Sequence, residues 1–212
     1  MSRLEEKAKK AADKKAALGT DIDLDTYEAE AEEVGEITEL EMLPEAVQTA
    51  ALSAGVSLAG EASGHYFQVD QSPVHRGSAV EGVEVMDIAS ALKEHSYLAD
   101  YFWKLVPIDA DKYTADVGMH PPAGYFIRAK PGTKTVFPLK TCLFMGGHNK
   151  RQRVHNAVIA AGGVRVSHHH RLHHLLAPRE GAPPGRFRGS TCKWIPRVSS
   201  NDIITLNICR CS

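Results

Sequence analysis

A histidine-rich tract is the most conspicuous group of potential metal ligands in this sequence. Five of the seven residues from His168 to His174 are histidine. On a helix, His169 and His173 would lie one turn apart. The same holds for His170 and His174. Two imidazoles at that spacing can bind Zn²⁺ or Ni²⁺. One hypothesis is therefore a small metal-binding protein. Two others stay open, a disordered basic tail without a role and a reading-frame error.

Four cysteines are the potential thiolate ligands: Cys142, Cys192, Cys209 and Cys211. The sequence opens without the apolar stretch of a secretion signal and has no long apolar segment later, so we expect a cytoplasmic chain that does not enter a membrane. Its thiols would then be reduced and would not form a disulfide framework. Cys142 lies in an apolar run and is expected to be a small buried side chain, with a sulfur-handling role as the alternative.

The remaining histidines form no recognisable set of ligands or catalytic groups. Four of them have no mutual spacing typical of metal sites: His65, His75, His120 and His148. His155, followed by Asn156, is expected to be a structural polar pair at the start of a strand. The sequence contains no Ser/His/Asp set, no phosphate-binding glycine loop and no paired catalytic carboxylates. We therefore expect a protein that is not an enzyme.

Short β-strands must position most of these residues. Runs rich in β-branched and aromatic side chains, bounded by glycine and proline, are typical of strands because such side chains pack well on a pleated surface. They predict strands at Tyr125–Ile127, Thr135–Leu139, Thr141–Met145 and Val154–Ile159. Between the first two, Pro131 and Gly132 predict a type II turn.

Upstream, a mixture of strands and one longer helix is expected. Tyr66–Val69 and Val80–Val85 are predicted strands, with Ser72 and Pro73 as the turn between them. Asp87 is suited to cap a helix over residues 87–106.

Charge divides the chain into three segments. In total 25 basic residues balance 26 acidic ones, so composition predicts no special affinity for nucleic acid or membrane. Residues 1–60 are expected to be an acidic helical region, in which a capping box at Ser2–Glu5 opens a helix that runs to Leu18. Residues 61–162 would form the core. Residues 163–212 hold eight basic against two acidic residues and are expected to be an irregular, disordered tail.

A series of motifs in the core resembles a known family. In chain order they are ALKEHSYL from Ala91, YFWKL from Tyr101, GYFIR from Gly124, FPLKTCLF from Phe137 and VHNAVI from Val154. Together they resemble the SufB/SufD family, the scaffold of SUF iron–sulfur cluster assembly, in its compact archaeal-type form. The similarity covers about the middle half of the chain, with a looser likeness in the acidic N-terminal region.

The resemblance implies an α+β fold, in which a helical N-terminal region leads into the first rungs of a right-handed parallel β-helix, followed by an irregular C-terminal tail. The strand pattern alone would equally suit an antiparallel sandwich. The resemblance also implies partners: a SufC-type ATPase and a second SufB/SufD-like subunit or a second copy. An iron–sulfur cluster is held transiently in the intact family, on thiolate and imidazole ligands that lie mainly in later rungs. We expect no cofactor in this chain.

After Ala161 the sequence departs from the family. The family pattern continues with a strand ending in Ile-Ile-Thr-Gly-Cys and further β-helix, where this chain has the histidine tract. Histidine codons are CA followed by C or T, so the tract read one base later offers Ile or Thr at successive positions. The same shifted frame permits Ile-Ile-Thr-Gly-Cys. A frameshift after about residue 162 would make the tail accidental and the protein a truncated, inactive form that is prone to self-association.

Overall fold

Two mixed β-sheets with short helices around them make up the computed structural model. It describes residues 3–17, 21–27, 40–45, 47–49, 62–104, 106–145, 151–161, 168–174, 198–199 and 202–205. The α+β class is confirmed by this architecture, whereas the right-handed parallel β-helix stays a prediction. No helix among the described residues is long and apolar enough to cross a bilayer.

The elements follow one another in short segments. The α-helices are α1 (Arg3–Ala11), α2 (Ile88–Glu94) and α3 (Lys112–Gly118), and single 3₁₀ turns lie at Leu24–Thr26, Leu40–Met42 and Ser96–Asp100. The strands are β1 (Gly64–Val69), β2 (Ser72–Ser78), β3 (Val83–Asp87), β4 (Tyr125–Ala129), β5 (Leu139–Met145), β6 (Asn156–Ala160), β7 (His168–His174), β8 (Val198–Ser199) and β9 (Asp202–Thr205).

The strands from β4 to β7 alternate between the two sheets. The first sheet has the order β2-β1-β5-β7 and the second the order β3-β4-β6-β9-β8. The pairs β1/β5, β5/β7 and β4/β6 are parallel, while β1/β2, β3/β4, β6/β9 and β8/β9 are antiparallel. The chain from β4 to β7 therefore crosses from one sheet to the other and returns each time to lie parallel beside its earlier strand.

The main core lies between the two sheets. It is built from aromatic and branched side chains of both: Tyr66, Val83, Val85, Tyr125, Ile127, Leu139, Leu143, Met145 and Val154. Successive strand residues point to opposite faces, so alternate residues of β5 reach this core. The intervening residues Cys142 and Phe144 are also buried, which shows that β5 is covered on both faces.

Helix α2 packs on the outer face of the second sheet. The carboxylate of Asp87 accepts a hydrogen bond from the Ser90 N–H at 2.8 Å, as predicted for its cap. The helix ends at Glu94, however, so it is much shorter than the predicted span 87–106. The chain instead continues through a 3₁₀ turn to Trp103, whose φ of 64° is incompatible with a right-handed helix.

Helix α1 packs against α3 through small side chains. Ala8 and Ala11 are buried with Ile108 and Ala115, and Trp103 packs on the same cluster. The helix ends at Ala11, short of the predicted Leu18, because the residues that follow bond elsewhere. The N–H of Ala17 donates to the Asp111 carboxylate at 3.0 Å, and the Lys14 ammonium donates to the carbonyl of Asp109 at 2.6 Å.

Two turn predictions have opposite outcomes. At Pro131-Gly132 the turn is confirmed, since Gly132 has φ of 75° and the Thr133 N–H donates to the Lys130 carbonyl. Ser72 and Pro73 are not a turn, because both belong to β2 and the chain reverses at Asp70, which has φ of 51°. Proline is tolerated there because β2 is the edge strand of its sheet.

Three of the predicted strands begin later than predicted. Between Val80 and Val85 the strand begins only at Val83, and from the run Thr135–Leu139 only Leu139 belongs to a strand. The strand predicted at Val154–Ile159 begins at Asn156 and runs to Ala160. Val136 is 90% exposed, so the apolar residues of that run form a surface connection. Within residues 163–212 the structure describes β7, β8 and β9, and the rest of the predicted disordered tail lies outside the described residues.

Candidate functional site

Cys142 lies at the centre of β5 and is closed off from solvent. Its side chain is 1% exposed, and its backbone pairs with Phe67 of β1 on one side and Arg171 of β7 on the other. Burial raises the pKa of the thiol to about 12, so the sulfur stays protonated at neutral pH. A protonated, enclosed thiol is a poor nucleophile and a poor metal ligand. The geometry agrees with the predicted small buried side chain.

The histidine tract forms a strand and not a helix. β7 runs parallel to β5, with His168 beside Leu139 and His174 beside Met145. Because a strand rises roughly 3.3 Å per residue, positions four apart are separated by about 13 Å. The helical spacing assumed for His169/His173 and His170/His174 is therefore absent. Among the residues that the structure describes, no group of three or more His, Cys, Asp or Glu could hold a metal ion.

His155 occupies an aromatic box immediately before β6. Its ring stacks on Phe102 with 4.0 Å between the centroids and meets the ring of Trp103 edge-on at 4.2 Å. Neither ring nitrogen has a hydrogen-bond partner among the described residues, and the side chain is 1% exposed. Burial lowers the pKa of His155 to about 3, which keeps the imidazole neutral.

Asn156 joins a polar network that sequence reasoning recognised only in part. Its side-chain carbonyl accepts a hydrogen bond from the Tyr125 N–H at 3.0 Å, which ties the start of β6 to the start of β4. Next to it, the Tyr66 hydroxyl lies 2.8 Å from Oε1 of Gln68 and 2.9 Å from the carbonyl of Gly124. All of these side chains are buried. Asn156 was a predicted structural residue, whereas Gln68 in a predicted strand gave no local signal of its burial.

A second pair of histidines, which showed no ligand spacing in the sequence, is brought together by the β1–β2 hairpin. The rings of His65 and His75 are stacked with their centroids 4.4 Å apart and their planes 9° apart. The two residues lie on neighbouring antiparallel strands and are separated by a short turn. The missed signal was the turn at Asp70, since a turn placed there folds the two histidines onto the same face. The other two of that set stay apart: His120 bonds with Asp116 of α3, and His148 lies outside the described residues.

Comparison with known proteins shows which proteins the chain is similar to. No protein-family model matches the chain. Two curated proteins of Methanothermobacter thermautotrophicus, both named iron–sulfur cluster assembly SufBD family proteins, are 44% and 43% identical to it over 160 residues. Each match covers 73% of this chain and 39% of the relative. A protein of the same name from Archaeoglobus fulgidus is 42% identical over 105 residues, which cover 50% of this chain and 28% of the relative.

The chain thus spans about two fifths of the length of the two Methanothermobacter relatives, which is 39% in each case. Identity above 40% extends over most of this chain, and all three relatives carry the same family name. This agreement confirms the resemblance that the motif series from Ala91 to Ile159 indicated. Over the matched residues, the chain is similar to archaeal proteins of the iron–sulfur cluster assembly SufBD family.

Proposed function

We propose that this chain is a scaffold component of a SUF-type iron–sulfur cluster assembly system and is not itself an enzyme. In this proposal it acts in the cytoplasm with a SufC-type ATPase and a second SufB/SufD-like subunit or a second copy. The similarity to three archaeal SufBD proteins, and the names of those relatives, support the general role. The compartment, the partners and the lack of enzymatic activity are parts of the proposal.

The fold within this proposal is the first rungs of a right-handed parallel β-helix. One observation carries it: β4, β5, β6 and β7 alternate between the sheets, with β4 parallel to β6 and β5 parallel to β7. That alternation is what successive rungs of a two-sheet coil require, because each rung stacks its strands on those of the rung before. An antiparallel sandwich would instead pair these neighbours in opposite directions.

The described residues would serve as structural support for the scaffold and would not hold the cluster. Iron–sulfur clusters are bound mainly by cysteine thiolates. Cys142 is the one cysteine in the described residues, and its thiol is enclosed, with a raised pKa. We therefore propose that this chain alone holds no cluster, and that the ligands of the assembled scaffold come from elsewhere.

The frameshift after about residue 162 is part of the same proposal. The neighbours of β7 along β5 include Leu139, Leu143 and Met145, which are all buried in the core between the sheets. A strand stacked beside such a neighbour is expected to carry apolar residues on the core side, and the shifted sequence Ile-Ile-Thr-Gly-Cys supplies them. Sequencing the coding DNA across this region, and translating all frames, tests this part directly.

A chimera tests the scaffold role. Residues 1–161 of this chain would replace the matching segment of an intact archaeal SufBD protein, and the hybrid would be assayed for binding of a SufC-type ATPase and for anaerobic cluster reconstitution. We expect the hybrid to retain both activities. A matched hybrid with Leu143→Asp, which places a charge in the core between the sheets, should lose them together with its fold. A hybrid that folds, as judged by its thermal unfolding, and yet fails in both assays would contradict the proposed function.

A further inference from the structure

The stacked rings of His65 and His75 lie on the face of the β1–β2 hairpin opposite to Tyr66 and the main core. In the antiparallel register His65 is opposite Gly77, and His75 is opposite Phe67. The two histidines are therefore diagonal neighbours on one face of the hairpin, within reach of each other's side chains. Both side chains are half-buried, so solvent reaches the pair.

Because Gly77 has no side chain, it leaves room for the ring of His65. A Cβ atom at position 77 would lie 3.1 Å from Nε2 and 3.2 Å from Cε1 of that ring. A Cβ atom there would be closer than an ordinary contact, so the imidazole would have to shift by a few tenths of an ångström. The position of the ring thus follows from the hairpin register and from the space left at Gly77.

The chemistry of the pair is that of a metal ligand set. Neutral imidazole is the commonest protein ligand for metal ions, and it suits zinc, nickel and copper. Burial, and then the neighbouring ring of His75, lower the pKa of His65, so its lone pair is available at neutral pH. In the part of the chain that the structure describes, no third His, Cys, Asp or Glu completes a protein-only site.

We infer that His65 and His75 form a two-imidazole site for a divalent first-row transition ion, with solvent completing the coordination. The parallel rings do not yet converge on one point. Rotation about χ2, which is a soft torsion in histidine, turns one nitrogen of each ring toward a shared ion. The inference stands on the hairpin alone and does not depend on the proposed scaffold function.

Lys140 provides an internal check on the location of the ion. It pairs with His65 in the parallel register of β5, and paired residues of neighbouring strands point to the same face. Its ammonium would oppose a cation bound at His65. Removing that charge should therefore tighten binding at this site and leave a distant site unchanged.

The test is a titration of the 212-residue chain with Zn²⁺, in which calorimetry measures the heat of binding. The background carries glutamine at all five histidines of the 168–174 tract and serine at Cys192, Cys209 and Cys211, so that neither set of ligands competes. We expect one site, weakened by more than about tenfold in His65→Gln and in His75→Gln. Lys140→Gln should tighten it by roughly threefold. His120→Gln, at an exposed histidine two residues after the end of α3, is the control and should bind as the background does.

A second measurement needs no variant, so a misfolded variant cannot mislead it. In the unaltered chain, ¹⁵N-detected imidazole NMR would follow the ring nitrogens of His65 and His75 as Zn²⁺ is added. Shifts of both rings at the same metal equivalence support the site. Rings that do not respond to saturating Zn²⁺, or an affinity that both glutamine variants leave unchanged, would overturn the inference.

Discussion

The imidazole of His155 stacks on the ring of Phe102 at 4.0 Å between centroids, and no group in the part of the chain that the structure describes forms a hydrogen bond with either of its nitrogens. The pair links the loop before β6 to the segment that follows α2. A histidine used in this way contributes shape and dispersion contact and no hydrogen bond. Its charge state then determines how the fold responds to acid.

We expect the protein to lose stability as the pH falls below about 6.5. The pKa of His155 is about 3 in the folded chain and about 6.5 when unfolded, so the unfolded state takes up a proton that the folded state refuses. The stability that depends on a neutral His155 is fully present above the pKa of the unfolded chain. It declines as the pH falls toward the pKa of the folded chain. Between pH 7 and pH 5 the loss from this group should be about 2 kcal/mol.

Urea unfolding of the intact chain and of His155→Leu at both pH values checks this. The leucine variant should lose that part of the pH dependence and be at least as stable at pH 7, because an unsatisfied polar group is replaced by an apolar one. His120→Gln serves as the control. Equal acid sensitivity in the intact chain and the leucine variant would contradict the role of His155.

Asn156→Ala should lower the free energy of unfolding by about 2 kcal/mol. The substitution removes the side-chain acceptor of the buried Tyr125 N–H, and with it the hydrogen bond that joins the start of β6 to the start of β4. Chemical denaturation would measure the change. Lys93→Ala, an exposed residue of α2, is the control and should stay within about 0.5 kcal/mol of the original. A neutral effect of Asn156→Ala would mean that water replaces the lost acceptor.

Asp111→Ala should destabilise the protein by about 1 to 2 kcal/mol and loosen the N-terminal segment. The Asp111 carboxylate caps α3 by accepting from the N–H groups of Tyr113 and Thr114, and it also accepts from Ala17. Limited proteolysis should therefore cut near residue 17 sooner in the variant. Asp109→Ala is a matched control, since Lys14 bonds the Asp109 backbone carbonyl and not its carboxylate. Equal cleavage rates in both variants would argue against the tether.

Cys142 should resist alkylation in the folded protein and react only on unfolding. The thiol is buried and its pKa is raised to about 12, so almost no thiolate is available to the reagent. Iodoacetamide labelling with and without urea, followed by peptide mass spectrometry, distinguishes this thiol from the other three cysteines. Rapid labelling of Cys142 in native buffer would instead favour the sulfur-handling role.

Local chemistry allowed part of this structure to be predicted. Pro131 and Gly132 define their turn within four residues, and Asp87 caps the helix that follows it. The same local reasoning misplaced Pro73, because only its position on an edge strand explains why proline is tolerated there. It also extended α1 too far, since the bond from Ala17 to Asp111 joins residues distant in the sequence.

In the candidate site, too, features set by nearby residues could be predicted, and features set by strand pairing could not. The burial of Cys142 could be predicted because its neighbours in the run are apolar. The meeting of His65 and His75 could not, because it depends on a cross-strand register that the turn at Asp70 sets. For the histidine tract, the spacing argument assumed a helix, whereas pairing with β5 makes it a strand.

The position of β1 between β2 and β5 has a consequence for synthesis on the ribosome. β2 follows β1 directly and can close one edge of it as a hairpin soon after both emerge. The other edge waits for Leu139–Met145, which are made only after α2, α3 and β4. During that interval the nascent chain presents a strand edge open to unintended pairing. The first sheet can form only after β5 has been synthesised and has paired with this open edge of β1.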